Sequence, residues 1–231
     1  EKRTFENSDI RHTDYNIGFD RIIGNDRLRL EFSRHEADDG YGIFLSDPRT
    51  GTPYYKARLN MTDSIYGITY MFGSEKEGEG TFLRYYRNES TADAPFDSAS
   101  GASPYTHKLR RDTFEGQKLW MLGDKNMLIG GFLWALDKMH EENSGTLDVS
   151  ATTKAVFLED DWQLGHGFAL KLGSRLEHHK DFGTDVASHI SLNKKFNRRT
   201  HAYISWGQAV NNPTLKMRYA NTVFMLGNPD L

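Results

Sequence analysis

Apolar and polar residues alternate with a period of two over stretches much longer than an ordinary strand. Leu28, Leu30 and Phe32 alternate with Arg29, Glu31 and Ser33. Tyr66, Ile68, Tyr70 and Phe72 alternate with Gly67, Thr69 and Met71, and Phe168, Leu170, Leu172 and Leu176 with Lys171, Gly173, Arg175 and Glu177. Leu128, Gly130, Phe132, Trp134 and Leu136 form one face of a further run, and Ala202, Ile204 and Trp206 one face of the last. Successive side chains of a strand point to opposite faces, so each run is a ribbon with one apolar and one polar side. A helix would scatter the apolar residues of 168–179 around its circumference.

The pattern predicts about ten strands, near 13–23, 27–37, 56–73, 80–90, 107–121, 127–139, 151–163, 167–179, 185–196 and 200–209. Their connections alternate in length. Gly24-Asn25-Asp26, 74–79, Gly123-Asp124-Lys125-Asn126, Gly165-His166-Gly167 and Asn197-Arg198-Arg199 are short. Between them lie 38–55, 91–106, 140–150, a brief 180–184 and whatever follows 210. Short turns on one side and long loops on the other are the rhythm of an outer-membrane barrel. Many of the runs reach the roughly 9–11 residues that a tilted strand needs to cross a bilayer, whereas strands of soluble proteins average about five or six.

Composition does not contradict this. No apolar run approaches the roughly 18 residues of a membrane helix. Mean hydropathy is −0.67, but in a barrel wall only alternate residues touch lipid. The net charge of −3 gives no sign of a nucleic-acid partner. The chain has no cysteine, which removes disulfide and thiolate chemistry. The competing reading is a large soluble β protein, such as a carbohydrate-binding sandwich, whose shorter strands would show turns every 8–12 residues or so.

Alternation assigns faces. Arg29, Glu31, Lys171, Arg175 and Glu177 are expected in the lumen, and Val156, Leu158, Asp160 and Trp162 on the lipid side. Asp160 lies near the 165–167 turn, where a lipid-facing charge costs less. Trp162 reads as an interfacial girdle residue. His178 and His179 are neighbours on a strand and face opposite ways, so they do not readily chelate one metal. His140, followed by Glu141 and Glu142, is expected to open an outer loop. Tyr41, Tyr54, Tyr55, Phe96 and Tyr105 lie in the two longest loops. Exposed aromatics stack on flat ligands, and these five with His140 are the candidate ligand contacts. No catalytic, cofactor or metal site is expected. Without a G-x-S-x-G elbow or a phosphate loop, only Ser188, His189 and His201 remain for an outer-membrane hydrolase.

Three stretches carry a family resemblance. Lys154-Ala155-Val156-Phe157-Leu158-Glu159-Asp160-Asp161-Trp162-Gln163-Leu164 resembles the "A-x-F-x-Q-D-x-W-x-L" strand of TonB-dependent receptors. Leu170 to His179 is similar to their "L-x-x-G-x-R-x-D/E-x-H" strand, through Gly173 and Arg175. Ser205-Trp206-Gly207-Gln208-Ala209-Val210-Asn211-Asn212-Pro213-Thr214-Leu215, then Tyr219 and Gly227-Asn228-Pro229-Asp230-Leu231, resembles "Y-x-x-G-F-R-A-P-T-L … Y … G-N-P-D-L". The positions carrying the match are Phe157, Asp160, Trp162, Gly173, Arg175, Gly207, Pro213, Tyr219, Asn228 and Pro229.

The resemblance implies an all-β, antiparallel transmembrane barrel of about 22 strands, filled by an N-terminal plug. Residues 1–231 would be one partial barrel domain, truncated at both ends and without the plug. It also implies a monomer in the outer membrane of a Gram-negative (diderm) bacterium. Lipid would surround the barrel, TonB would act through the plug, and a small nutrient would bind from outside. The first expectation for that nutrient is an iron–siderophore complex, with cobalamin, haem or a glycan as alternatives. Two departures stand out: Glu159 replaces Gln, and Val210-Asn211-Asn212-Pro213 replaces Phe-Arg-Ala-Pro. Residues 216–226 hold no histidine, which counts against haem. The alternatives are a passive porin or another barrel independent of TonB, and the soluble β protein above.

Overall fold

The computed structural model describes residues 9–40, 58–73, 80–94, 105–142, 146–222 and 225–231. Ten strands follow in order: β1 (Ile10–Ile23), β2 (Asp26–Gly40), β3 (Arg58–Phe72), β4 (Thr81–Ala94), β5 (Tyr105–Met121), β6 (Asn126–Glu142), β7 (Thr146–Gly165), β8 (Phe168–His179), β9 (Gly183–Lys195) and β10 (His201–Gly207). Each pairs antiparallel with the next, forming one meander with β1 and β10 at its edges. The sheet is part of a barrel wall.

Residues paired across strands share a face, so the register tests the face assignments. One row runs through Phe19, Leu30, Ile68, Tyr85, Phe114 and Trp134. The row beside it runs through Gly18, Glu31, Gly67, Tyr86, Thr113, Ala135, Thr153 and His179. Curvature separates the two. On the first face, Ile17, Val156 and Ile204 are 67%, 55% and 71% exposed. On the second, Thr69, Thr113 and Ala135 are 1%, 0% and 0% exposed. Side chains crowd on a concave surface and splay on a convex one, so the apolar face is convex. Arg29, Glu31, Lys171, Arg175 and Glu177 fall on the concave face.

The convex apolar belt crosses the register obliquely. It covers Leu28–Phe32 on β2 and Tyr66–Phe72 on β3. The row through Leu30 has reached Lys154 by β7, and the apolar stretch there starts one row nearer the short turns, at Val156. A belt that slides through successive registers belongs to strands tilted against the barrel axis. Trp120 and Trp162 edge it near the short turns, and Tyr66 and Trp134 near the other rim, as interfacial aromatics do.

Beyond the belt, toward the long connections, the convex face turns polar. Asp112 is 5% exposed there. It accepts hydrogen bonds from Tyr85 Oη (2.6 Å), Arg87 Nε (2.7 Å) and Arg110 Nε (2.8 Å). The concave face carries its own cross-strand ion pairs: Arg84 with Glu115, Lys171 Nζ with Glu159 Oε1 (2.7 Å), and His189 Nε2 with Glu159 Oε2 (3.3 Å).

All ten expected strands are present, but several run further toward the long-connection rim than alternation predicts. β4 reaches Ala94, β6 reaches Glu142 and β7 begins at Thr146. Residues 140–142 and 146–150, expected in an outer loop, are therefore strand. The cause is environment: beyond the belt both faces of the strand are polar, so the period-two signal fades while the hydrogen-bonded ladder continues.

Candidate functional site

The last described segment leaves the sheet and folds over its concave face. Gln208 N still donates to Ser188 O at 2.9 Å, extending the β9–β10 ladder. Residues 210–214 then turn inward to the short helix α1 (Leu215–Tyr219). Thr214 caps it, accepting at Oγ1 from Met217 N (3.2 Å) and at its carbonyl from Arg218 N (3.1 Å). Five residues of helix cannot persist in isolation; packing holds them. Leu215, 7% exposed, sits against Met139 and Ala151, with Leu109, Leu147, Val149 and Tyr219 around them. All five wall residues belong to the concave face of β5–β7.

Two clasps secure the segment. Arg218 donates to Asp181 Oδ2 (2.6 Å), and its guanidinium lies 4.9 Å from the Phe182 ring centre and 4.8 Å from that of Tyr219. The chain then forms a two-residue ladder between β11 (Asn221–Thr222) and β12 (Met225–Leu226) and folds back on the helix. Gly227 N donates to Ala220 O (2.6 Å) and Asn228 N to Met217 O (3.0 Å). A Cβ on Gly227 would stand 2.7 Å from the Arg218 carbonyl, so this return permits only glycine.

Between segment and sheet lies a chamber of about 670 Å³, within the roughly 300–1,000 Å³ of small-molecule sites. Its walls include Asp63, Asn88, Arg111, Asp137, Arg175, Glu177 and His179 from the strands, with Asn211, Asn212 and Pro213 from the segment. Ile65, Leu109, Val210 and Leu215 supply apolar surface. Two of its charge pairs are closed: Arg111 lies 3.4 Å from Asp137, and Arg175 Nη2 lies 2.7 Å from Glu177 Oε2. Asn212 Nδ2 comes within 3.5 Å of the other Glu177 oxygen. Such a surface can hold a polar small molecule by non-covalent contacts.

The resemblance motifs acquire distinct roles in this arrangement. Arg175 and Pro213, far apart in sequence, meet at the chamber, and Tyr219 anchors its helix. Asn228 and Pro229 belong to the return: Asn228 Oδ1 accepts from Asp230 N (3.0 Å) and the Pro229 carbonyl from Arg218 (3.4 Å). Gly173 leaves room for the His189 imidazole, which would stand 2.2 Å from an added Cβ. Gly207 pairs with the same His189. Phe157 lays its ring on Gly131. Asp160 and Trp162 face outward beside the short turns, opposite Leu128 and Asn126, with one Asp160 oxygen buried and unpartnered among the described residues.

The expected ligand contacts fare differently. Tyr41, Tyr54, Tyr55 and Phe96 lie outside the described residues, as does the side chain of Tyr105, whose backbone starts β5. His140 does not open an outer loop but lies within β6. It stands on the convex face of β6, between Asp148 Oδ1 (2.7 Å) and Glu142 Oε1 (2.9 Å). Among the described residues no three His, Asp or Glu side chains are arranged to hold a metal. His178 binds Thr184 on the convex face (2.8 Å), while His179 turns inward and accepts from Asp181 N (3.1 Å). Ser188 and His189 project to opposite faces, which rules out a nucleophile–base pair between them. A buried pair escaped the sequence reading: His107 Nδ1 and Glu141 Oε2 lie 3.3 Å apart with 5% and 3% exposure. Partners so distant in sequence leave no local signal.

A meander of long tilted strands, apolar outside and polar inside, with a rim segment folded into the lumen, is the wall of a transmembrane β-barrel. The sequence matches the TonB-dependent receptor-like β-barrel family over residues 2–231. The chain belongs to that family. A mutant ferric enterobactin receptor (PfeA) from Pseudomonas aeruginosa, solved with enterobactin, superposes with a TM-score of 0.74 at 18% identity, over 90% of this chain and 34% of that one. The siderophore receptor PirA of the same organism gives 0.68 at 16% identity, over 92% of this chain and 36% of that one. The alcaligin outer-membrane receptor FauA of Bordetella pertussis gives 0.64 at 13%, over 86% and 35%. The chain thus spans about a third of the length of the solved receptors it matches. No curated protein matches the sequence.

Proposed function

We propose that this chain is one stretch of the barrel domain of a monomeric outer-membrane receptor that imports a ferric siderophore, using energy delivered by TonB through a plug domain. The observation that carries the reading is the chamber beneath the inward-folded segment. Its place on the concave face near the long-connection rim suits capture of a small solute arriving from outside. Family membership supports the transport class, and the three siderophore receptors of like fold support the cargo. Paired charges, amide side chains and apolar patches favour reversible binding without covalent change.

Uptake tests the cargo. A strain lacking the gene should take up iron-59 presented as ferric siderophore at a rate well below the parent, and the full-length gene should restore it. Unchanged uptake across hydroxamate and catecholate chelates, with loss of cobalamin or glycan uptake instead, would keep the receptor class and replace the cargo. Detergent-free solubility of the full-length product would reject the membrane reading itself.

A further inference from the structure

The geometry points to a binding site for a divalent transition cation of the zinc class on the concave face of β1 and β2, built on His12 and His35. The inference goes beyond the cargo proposed above. Its test does not use uptake, so either reading can fail alone.

Four side chains form a line across the two strands. His12 Nε2 donates to Asp39 Oδ1 (3.1 Å), and His35 Nδ1 donates to Asp14 Oδ1 (2.7 Å). The two rings meet edge to face with their centres 5.2 Å apart. An imidazole that donates from one nitrogen keeps a lone pair on the other. His12 Nδ1 and His35 Nε2 are thus left as ligands, with no partner among the described residues. A carboxylate behind each ring is the arrangement that fixes the tautomer and raises the basicity of a metal-binding histidine. A metal about 2.1 Å from a ring nitrogen stands roughly 3.2 Å from that ring's centre, so centres 5.2 Å apart subtend roughly 110° at it, the tetrahedral value.

The surrounding charge favours a cation. Asp63 pairs in register with His35 across β2 and β3 and also lines the chamber. From Asn16, Ser33, Ile65 and Asn88 outward, the concave positions of β1–β4 hold Asp14, Asp39 and Asp63 with the two histidines, and no Lys or Arg. Arg58 lies on the opposite face, bound to Asp38 and Asp9, and Arg111 on β5 faces Asp137. A concavity lined by one sign of charge concentrates the opposite ion. The His12 and His35 side chains are 47% and 36% exposed, so an ion from solution can reach them. Imidazole ligands select zinc, copper or nickel over calcium and magnesium. Two protein nitrogens leave the ion's other positions open to water or to a donor on a solute in the neighbouring chamber.

The test uses the untagged full-length receptor in detergent and titrates Zn2+ in competition with a chromophoric chelator. The parent should bind an equivalent of Zn2+ that H12Q/H35Q loses. D14N/D39N keeps both rings and should weaken that equivalent by about ten- to hundredfold, as loss of the groups that orient metal ligands does. With Cu2+ as the probe, electron paramagnetic resonance should show coupling to two imidazole nitrogens in the parent and not in H12Q/H35Q. Resistance to unfolding on unheated gels shows that each variant is folded. Equal Zn2+ affinity and stoichiometry in the parent and H12Q/H35Q would overturn the inference. Full Zn2+ affinity in D14N/D39N would overturn it as well, because the site is built on carboxylates that hold the rings. Ferric siderophore uptake, measured separately, bears only on the cargo.

Discussion

The inward segment depends on Leu215, and replacing it by alanine should release the segment without melting the wall. Leu215 is 7% exposed and fills a cluster contributed by β5, β6 and β7. Removing three carbons from that cluster forfeits about 2.4 kcal/mol at roughly 0.8 kcal/mol per buried methylene, and any cavity left behind adds to it. The helix has no stability of its own to absorb the loss. Segment opening should therefore rise about fiftyfold, at about 1.4 kcal/mol per decade. The wall's ladder hydrogen bonds do not involve Leu215 and should be unaffected. Native-state hydrogen exchange on the full-length receptor reads both. The amides of Arg218, Ala220, Gly227 and Asn228, which bond within the segment, should lose protection together. Amides in the middle of β6 and β7 should keep theirs. Unchanged protection of the four amides would refute the packing argument. An equal loss in β6 and β7 would show that the segment is part of the wall's cooperative unit.

Three further outcomes follow from particular contacts. Asp112→Asn leaves Arg87 and Arg110 without their shared carboxylate; because both arginines are partly exposed, the loss should be about 2–3 kcal/mol, below the full cost of orphaning a buried charge. Urea unfolding in lipid measures it, and a change under about 0.5 kcal/mol would dismiss the cage as structural. Gly131→Ala should cost more than Gly173→Ala, because the first new Cβ meets the Gly116 carbonyl at 2.5 Å and the second meets an imidazole that can swing aside; thermal scans should show the larger fall for Gly131→Ala, by about 1–3 kcal/mol for overpacking, and the reverse order would contradict the backbone clash. Asp9 sits before β1, and its hydrogen bond to Arg58 (3.0 Å) holds its carboxyl below the usual range. A depressed acid favours the folded form above its unfolded value and loses that contribution as pH falls through the folded one. Exchange of the Gly40 amide, which donates to Asp9 O at 2.9 Å, should thus quicken only below about pH 4 after correction for intrinsic rates. Asp9→Asn should abolish that dependence, and an identical profile in the variant would reject the assignment.

The sequence by itself determined the wall. Alternation in a β-ribbon is a local property: Leu28, Leu30 and Phe32 must share a face whatever lies beside them, and Gly165-His166-Gly167, with φ of 89°, 51° and 78°, reverses the chain without outside help. Strand count, face assignment and the resemblance motifs could all be read from such local signals. Strand ends at the long-connection rim could not, because polar surroundings on both faces erase the period while the ladder runs on. His140 was misplaced for that reason. The chamber was also out of reach. It needs residues 210–216 to lie on a concave face built by β3–β8, and a five-residue helix that exists only through Leu215 and Tyr219 contacts leaves no periodic trace. The meeting of Arg175, Glu177 and Asn212 and the burial of His107 with Glu141 belong to the same class. Local pattern fixes which way a strand faces; only the curvature of the assembled sheet decides which of those faces encloses a site.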